Sequence, residues 1–296
     1  MGTKFAFPNM KRHARAGFVA LSLSLLLPAV WWPQQDQVFV SQGVPLRFVE
    51  AGAGDPVVLI HGYTRSLDDW THSGVFQTLG REYHVIALDC RGHGRSGKPH
   101  EPGAYGVELG QDVLRLMDHL GIRRAHVVGF SLGGSIVARL LVEHPDRFLS
   151  ATLAAGWGRR PGGDAQAESL ATEISQGSLR SLLLRQVPPS EPPPTEDALR
   201  TRSTELLAGQ DLLALAAVMR STQALEVTEA QLAGVTVPTL AIVGSSDRGV
   251  AGGTRLKAVM PTLQLVVVDG ATHASLVGRP EFVETLRSFL AAHRQR

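Results

Sequence analysis

Gly129-Phe130-Ser131-Leu132-Gly133 fits the pattern G-x-S-x-G, which makes Ser131 the candidate nucleophile. Five such residues alone say little, because glycine and serine are common. Their surroundings say more. Ala125-His126-Val127-Val128 is a short apolar run that reads as a buried strand, and Ser135–Val142 has apolar residues three and four apart, as in a helix. Ser131 therefore sits where a strand ends and a helix begins. The backbone of such a turn is strained, and glycine on both sides avoids collisions between Cβ atoms. Gly134 keeps the same helix start slim.

A serine hydroxyl is a poor nucleophile without an adjacent base, and the base needs a carboxylate to orient it. Asp247 lies just after the apolar run ending at Val243, and His273 lies just after the next run, ending at Val268. Ser131, Asp247 and His273 stand in one of the chain orders known for this triad. Asp269 is a competing acid, but it is too near His273 in sequence to form an independent arm and reads as a turn residue. His119, His126 and His144 fall in helices or strands and read as surface or packing residues. Acyl transfer also builds an oxyanion that needs hydrogen-bond donors. His61-Gly62-Tyr63 follows the run ending at Ile60, so the amides of Tyr63 and Leu132 are the expected donors. His61, Phe130 and Trp157 are expected beside the substrate, His61 as a structural group bonded inside its loop rather than a second base.

These side chains need a scaffold that brings three loops to one edge. From Gln37 onward, short apolar runs alternate with helical segments. The runs are Gln37–Val40, Pro45–Glu50, Val57–Ile60, His84–Leu88, Ala125–Val128, Phe148–Ala154, Pro238–Val243 and Leu263–Val268. Helices are expected over Leu67–Leu79, Val107–Leu120, Ser135–His144, Ala251–Val259 and Glu281–His293. Continuous apolar strands between helices imply a doubly wound α/β fold, with a mostly parallel sheet covered on both faces. The first two runs read as a hairpin. The alternation stops between about 157 and 231, where leucine-bearing helical patterns at Leu179–Leu184 and Asp211–Met219 flank Val187–Pro194, a proline-rich loop. That stretch reads as an inserted helical cap. The division is a leader over 1–36, core over 37–156, cap over 157–231 and core again over 232–296.

Composition narrows the function. The 296 residues are 44% hydrophobic and 19% charged, as in a globular protein, and the net charge of +2 suggests no nucleic-acid partner. Cys90 is the single cysteine, which rules out an intrachain disulfide or a cysteine zinc site and reads as a small buried hydrophobe. No metal or cofactor is expected. Near the N-terminus, Lys11, Arg12, His13 and Arg15 precede Ala16–Trp32, an uncharged run of about 17 residues, near the lower limit for a bilayer span. A removed secretory signal and an uncleaved membrane anchor are both open readings. Either places the catalytic part outside the cytoplasm, periplasmic, secreted or membrane-attached. Translation is expected to begin at Met10.

The chain resembles the α/β-hydrolase superfamily, serine-nucleophile branch, from residue 37 to the C-terminus. The resemblance rests on His61-Gly62-Tyr63, the block Asp89-Cys90-Arg91-Gly92-His93-Gly94-Arg95-Ser96, the serine motif, Asp247 and His273. It implies an eight-stranded sheet with a cap, and structural roles for the Asp89–Ser96 loop. Branches with an aspartate nucleophile are disfavoured by Ser131. The expected activity is cleavage of carboxylic esters or related acyl compounds by a serine hydrolase acting on a small-molecule substrate. A carbon–carbon bond hydrolase with the same triad and a hydrolase-like binding protein are the alternatives.

Overall fold

The computed structural model describes residues 1–3, 35–157, 163–188 and 190–295. The expected targeting segment falls almost wholly outside the described residues. Among the described residues, no helix is long and apolar enough to cross a membrane.

Eight strands form one sheet: β1 (Gln37–Ser41), β2 (Val44–Ala51), β3 (Pro56–Ile60), β4 (His84–Leu88), β5 (Ala125–Phe130), β6 (Phe148–Ala154), β7 (Thr239–Gly244) and β8 (Leu263–Val268). Their spatial order is β1-β2-β4-β3-β5-β6-β7-β8. Gln42 and Gly43, at φ 51° and 78°, close the β1–β2 hairpin, and positive φ at both positions matches the twist of its strands. β2 runs antiparallel to both β1 and β4, and β3 to β8 are mutually parallel. β3 explains why these strands are apolar without alternation. Val57 and Leu59 pack on one face with Trp70, Phe76 and Phe282. Val58 and Ile60 pack on the other with Val113, Ile136 and Leu140.

From β3 the chain steps outward to β4 and then returns to β5 on the other side. The loops leaving β3 and β5 thus lie side by side at the C-terminal edge, where open α/β sheets bind ligands. Register makes the adjacency concrete, since Ile60 pairs with Gly129.

Helices α1 (Asp68–His72) and α2 (Val75–Leu79) lie between β3 and β4, where the sequence suggests one helix. Gly74 at φ 78° breaks that segment in two. α3 (Glu108–His119) precedes β5 and α4 (Leu132–Glu143) follows it. Between β6 and β7 come α5 (Gly163–Ser175), α6 (Arg180–Leu184), α7 (Glu196–Leu207), α8 (Leu212–Ser221) and α9 (Glu229–Ala233). α10 (Val250–Val259) and α11 (Pro280–Ala292) complete the chain's order.

The Asp89–Ser96 loop is a buried polar knot behind the sheet edge. Asp89 is fully buried and accepts from the amides of Leu67 and Arg95 at 2.7 and 2.8 Å, and from Arg47 Nη1 at 3.2 Å. Arg91 forks onto buried Asp112 with two bonds of 2.6 Å. Every charge buried here has a hydrogen-bonded counter-charge, as burial demands. Cys90 is buried, and burial pushes its thiol well above the ordinary range.

Burial also holds histidines neutral: it lowers His61, and brings His93 to about 3 and His126 to about 4. Unfolded histidine titrates near ~6.5. As pH falls from there towards 4, the unfolded chain takes up protons that the folded chain refuses. Stability therefore drops on acidification, by at most about 1.4 kcal/mol per pH unit for each histidine. Urea unfolding between pH 7 and pH 5 should show the loss, and His126→Gln should flatten it. Equal midpoints at both pH values would contradict this account.

Candidate active site

Ser131 is the N-cap of α4 and has φ 53° and ψ −107°, a conformation rare for a residue with a side chain. Its amide donates to Ala154 O at 2.8 Å, tying the turn to β6. The flanking glycines are required by contact. A Cβ on Gly129 would lie 2.1 Å from Gly133 O, and one on Gly133 would lie 2.3 Å from Ile60 O. The turn can close against β3 only with hydrogen at both positions.

The structure brings together the three groups expected from sequence. His273 Nε2 is 3.0 Å from Ser131 Oγ, and His273 Nδ1 is 2.7 Å from Asp247 Oδ2. The carboxylate can only accept, so Nδ1 carries the proton and Nε2 is left to accept the Ser131 hydroxyl. Asp247 is buried, and its other oxygen accepts the Gly249 amide at 2.7 Å. One oxygen of Asp247 thus holds the backbone turn before α10 and the other holds His273. Asp269 accepts from Ser245 Oγ at 3.2 Å, as expected of a turn residue. Phe130 stacks at a tilt on His273, ring centroids 5.2 Å apart.

Leu132 is the first residue of α4, directly after Ser131, so its amide has no intrahelical acceptor. Tyr63 lies in the adjacent loop after β3; its hydroxyl donates to Leu215 O at 2.8 Å, fastening that loop to α8. His61 is not at the cavity wall but buried beneath it. Its Nε2 accepts the Cys90 amide at 3.0 Å, so Nδ1 bears hydrogen and donates to Gly62 O at 2.8 Å. It is the structural group expected, with no direct place beside substrate. Trp157 is likewise off the wall. Its indole donates to Gly249 O at 3.1 Å and packs on Gly252 and Gly253, supporting the loop that carries Asp247.

A cavity of about 380 Å³ opens over Ser131 and His273, with Tyr63 and Phe130 in its wall. Its far wall comes from α6 and α7 and includes Leu182, Leu183, Leu199 and Leu206. Arg65 and Arg202 also line it, and neither is evident as a site residue in the sequence. The available signal is weak: Ala198, Leu199, Arg202 and Leu206 share one helical face, behind the Thr195 cap that accepts Ala198 N. Among the described residues no cluster of His, Cys, Asp or Glu could hold a metal ion.

The contact argument at the turn has a direct consequence. Gly133→Ala should cost about 2 kcal/mol or more, lowering the melting temperature by several degrees. Gly278→Ala, where an added Cβ meets nothing within 4 Å, should change stability by less than about 0.5 kcal/mol. Thermal melts of the two variants decide it, and indistinguishable melts would refute the steric account.

Comparison with known proteins agrees with this architecture. Over 112 residues the chain is 40% identical to the dihydrolipoyllysine-residue acetyltransferase component of the acetoin cleaving system from Cupriavidus necator, a match covering 38% of this chain. The match takes in 29% of that protein, so the chain spans under a third of the length of this curated relative. Two solved structures align across almost their full length. A hydrolase from Pseudomonas aeruginosa PA01 superposes with a TM-score of 0.72 at 28% identity, covering 86% of this chain and 98% of that one. The enol-lactonase from Burkholderia xenovorans LB400 gives a TM-score of 0.72 at 25% identity, covering 86% and 100%. A family model described as the alpha/beta hydrolase fold matches residues 55–280. With that match over most of its length, the chain belongs to the alpha/beta hydrolase fold family and is, by family, a hydrolase.

Proposed function

We infer that the protein is a serine hydrolase cleaving carboxylic esters or related acyl compounds through an acyl-enzyme. The observation that carries this reading is the continuous Ser131–His273–Asp247 hydrogen-bond chain at the floor of a cavity. Ser131 Oγ attacks the acyl carbon while its proton passes to His273 Nε2. Asp247 stabilises the imidazolium and keeps its orientation. The amides of Tyr63 and Leu132 receive the charge that develops on the carbonyl oxygen. Collapse breaks the bond to the leaving alcohol, which takes the proton from His273. Water, deprotonated by the same imidazole, then releases the acid and restores Ser131. The similarity to an enol-lactonase, named for opening a cyclic ester, supports acyl chemistry. The inserted helices serve as the cap that shapes the substrate site. Export by the basic and then apolar N-terminal sequence belongs to the same proposal.

Ser131→Ala should lower kcat/KM on short p-nitrophenyl esters by about 10³-fold or more, and Asp247→Asn should have a comparable effect. A fluorophosphonate probe should label the wild-type chain at Ser131 and leave Ser131→Ala untouched. Full esterase activity in Ser131→Ala would end the assignment. For export, the intact mass of protein recovered from outside the cytoplasm should match a chain cut near residue 36 or one that keeps its leader. Recovery only from the cytoplasm would reject it.

A further inference from the structure

Taking Ser131 as the acyl nucleophile, we propose that the substrate is an amphipathic ester whose apolar acyl chain ends in an anionic group held by Arg65 and Arg202. The cavity volume of about 380 Å³ is that of a small-molecule site. Leu182, Leu183, Leu199 and Leu206 give it an apolar wall suited to a hydrocarbon chain. Its charged groups have one sign. Among the described residues lining it, Arg65 and Arg202 are present and no aspartate or glutamate is. The two arginines come from separate parts of the chain, Arg65 from the loop after β3 and Arg202 from α7, and only the fold makes them share a cavity.

Both arginines are partly exposed, with side-chain exposures of 29% and 47%, whereas Asp247 is buried. Each already has a carboxylate neighbour outside the cavity. Arg65 Nε is 3.5 Å from Asp69, and Arg202 Nη1 donates to Glu205 at 2.9 Å. These contacts do not exhaust the guanidinium groups, which carry five N–H donors each. Exposed pairs of this kind contribute little and yield readily to a better-placed anion. A planar guanidinium is matched to a carboxylate, which it can hold with two parallel bonds. A neutral chain end would gain nothing from either residue.

The p-nitrophenyl ester of octanoic acid and the mono-p-nitrophenyl ester of octanedioic acid differ only at the far end. With the full chain at low salt, KM should be roughly tenfold lower for the octanedioic ester, the effect of one charge-assisted bond. The ratio of the two KM values should shrink in Arg65→Gln and in Arg202→Gln, and reach one in the double variant and in about 1 M salt. Equal KM values in the wild type, or a ratio unchanged in the double variant, would overturn the proposal. Calorimetric titration of octanedioate and octanoate into Ser131→Ala separates this site from the chemistry. Tighter octanedioate binding that the double arginine substitution abolishes supports the anion site even where ester turnover fails. Equal binding of the two acids rejects it.

Discussion

Ser131 is held at φ 53° and ψ −107°, a backbone state that costs on the order of 1–3 kcal/mol. Much of the surrounding chain is arranged so that nothing contests it. β3 passes so close that Gly133 has its missing Cβ only 2.3 Å from Ile60 O. On the opposite side, a Cβ on Gly156 would lie 2.0 Å from Ser131 O. Three strand ends therefore converge on one residue with only hydrogen between them. The strain projects the hydroxyl clear of the sheet edge, where it meets His273. Relaxing any of these contacts would let the turn sink and the hydroxyl swing away.

The charged residues near the site divide into two populations with different physics. Asp89, Arg91 and Asp112 are buried and fully engaged, and they fix the loops that approach the sheet edge. His61 belongs with them. It is neutral by burial and bonded on both nitrogens, so it connects the loop after β3 to Cys90 without acting on a proton. His273 differs because one of its nitrogens faces a hydroxyl at the cavity floor rather than a backbone group. What distinguishes the two histidines is the partner each ring nitrogen meets.

The inserted helices have two roles. α8 is anchored: its Leu215 carbonyl accepts the Tyr63 hydroxyl, and Gln210 just before it donates to Thr64 O at 3.2 Å. α6 and α7 instead lean over the cavity and supply its apolar wall. The core thus carries the Ser131–His273–Asp247 bonds, and α6 and α7 line the cavity beside them. α5 and α7 are hard to read from sequence. α7 is rich in Glu, Arg, Ser and Thr, so its three buried positions, Leu199, Ser203 and Leu207, make a faint stripe. Its clearest signal is local, Thr195 capping the helix just after the proline-rich loop.

The order of apolar strands and helices, the chain order of Ser131, Asp247 and His273, and the glycines around the serine are legible without coordinates. They are local properties, because strand burial, helical periodicity and steric need at a turn are written in neighbouring residues. His61 and Trp157 show where that stops. Both residue types suit a pocket, yet the fold turns one toward Cys90 and the other toward the backbone at Gly249. The meeting of Arg65 with Arg202 is likewise invisible in a linear chain, since 137 positions separate them (202 minus 65). Sequence alone determined which residues have the chemistry to act. Tertiary structure decided which share a cavity, because contacts between distant segments depend on how sheet order and helix packing bring them together in space.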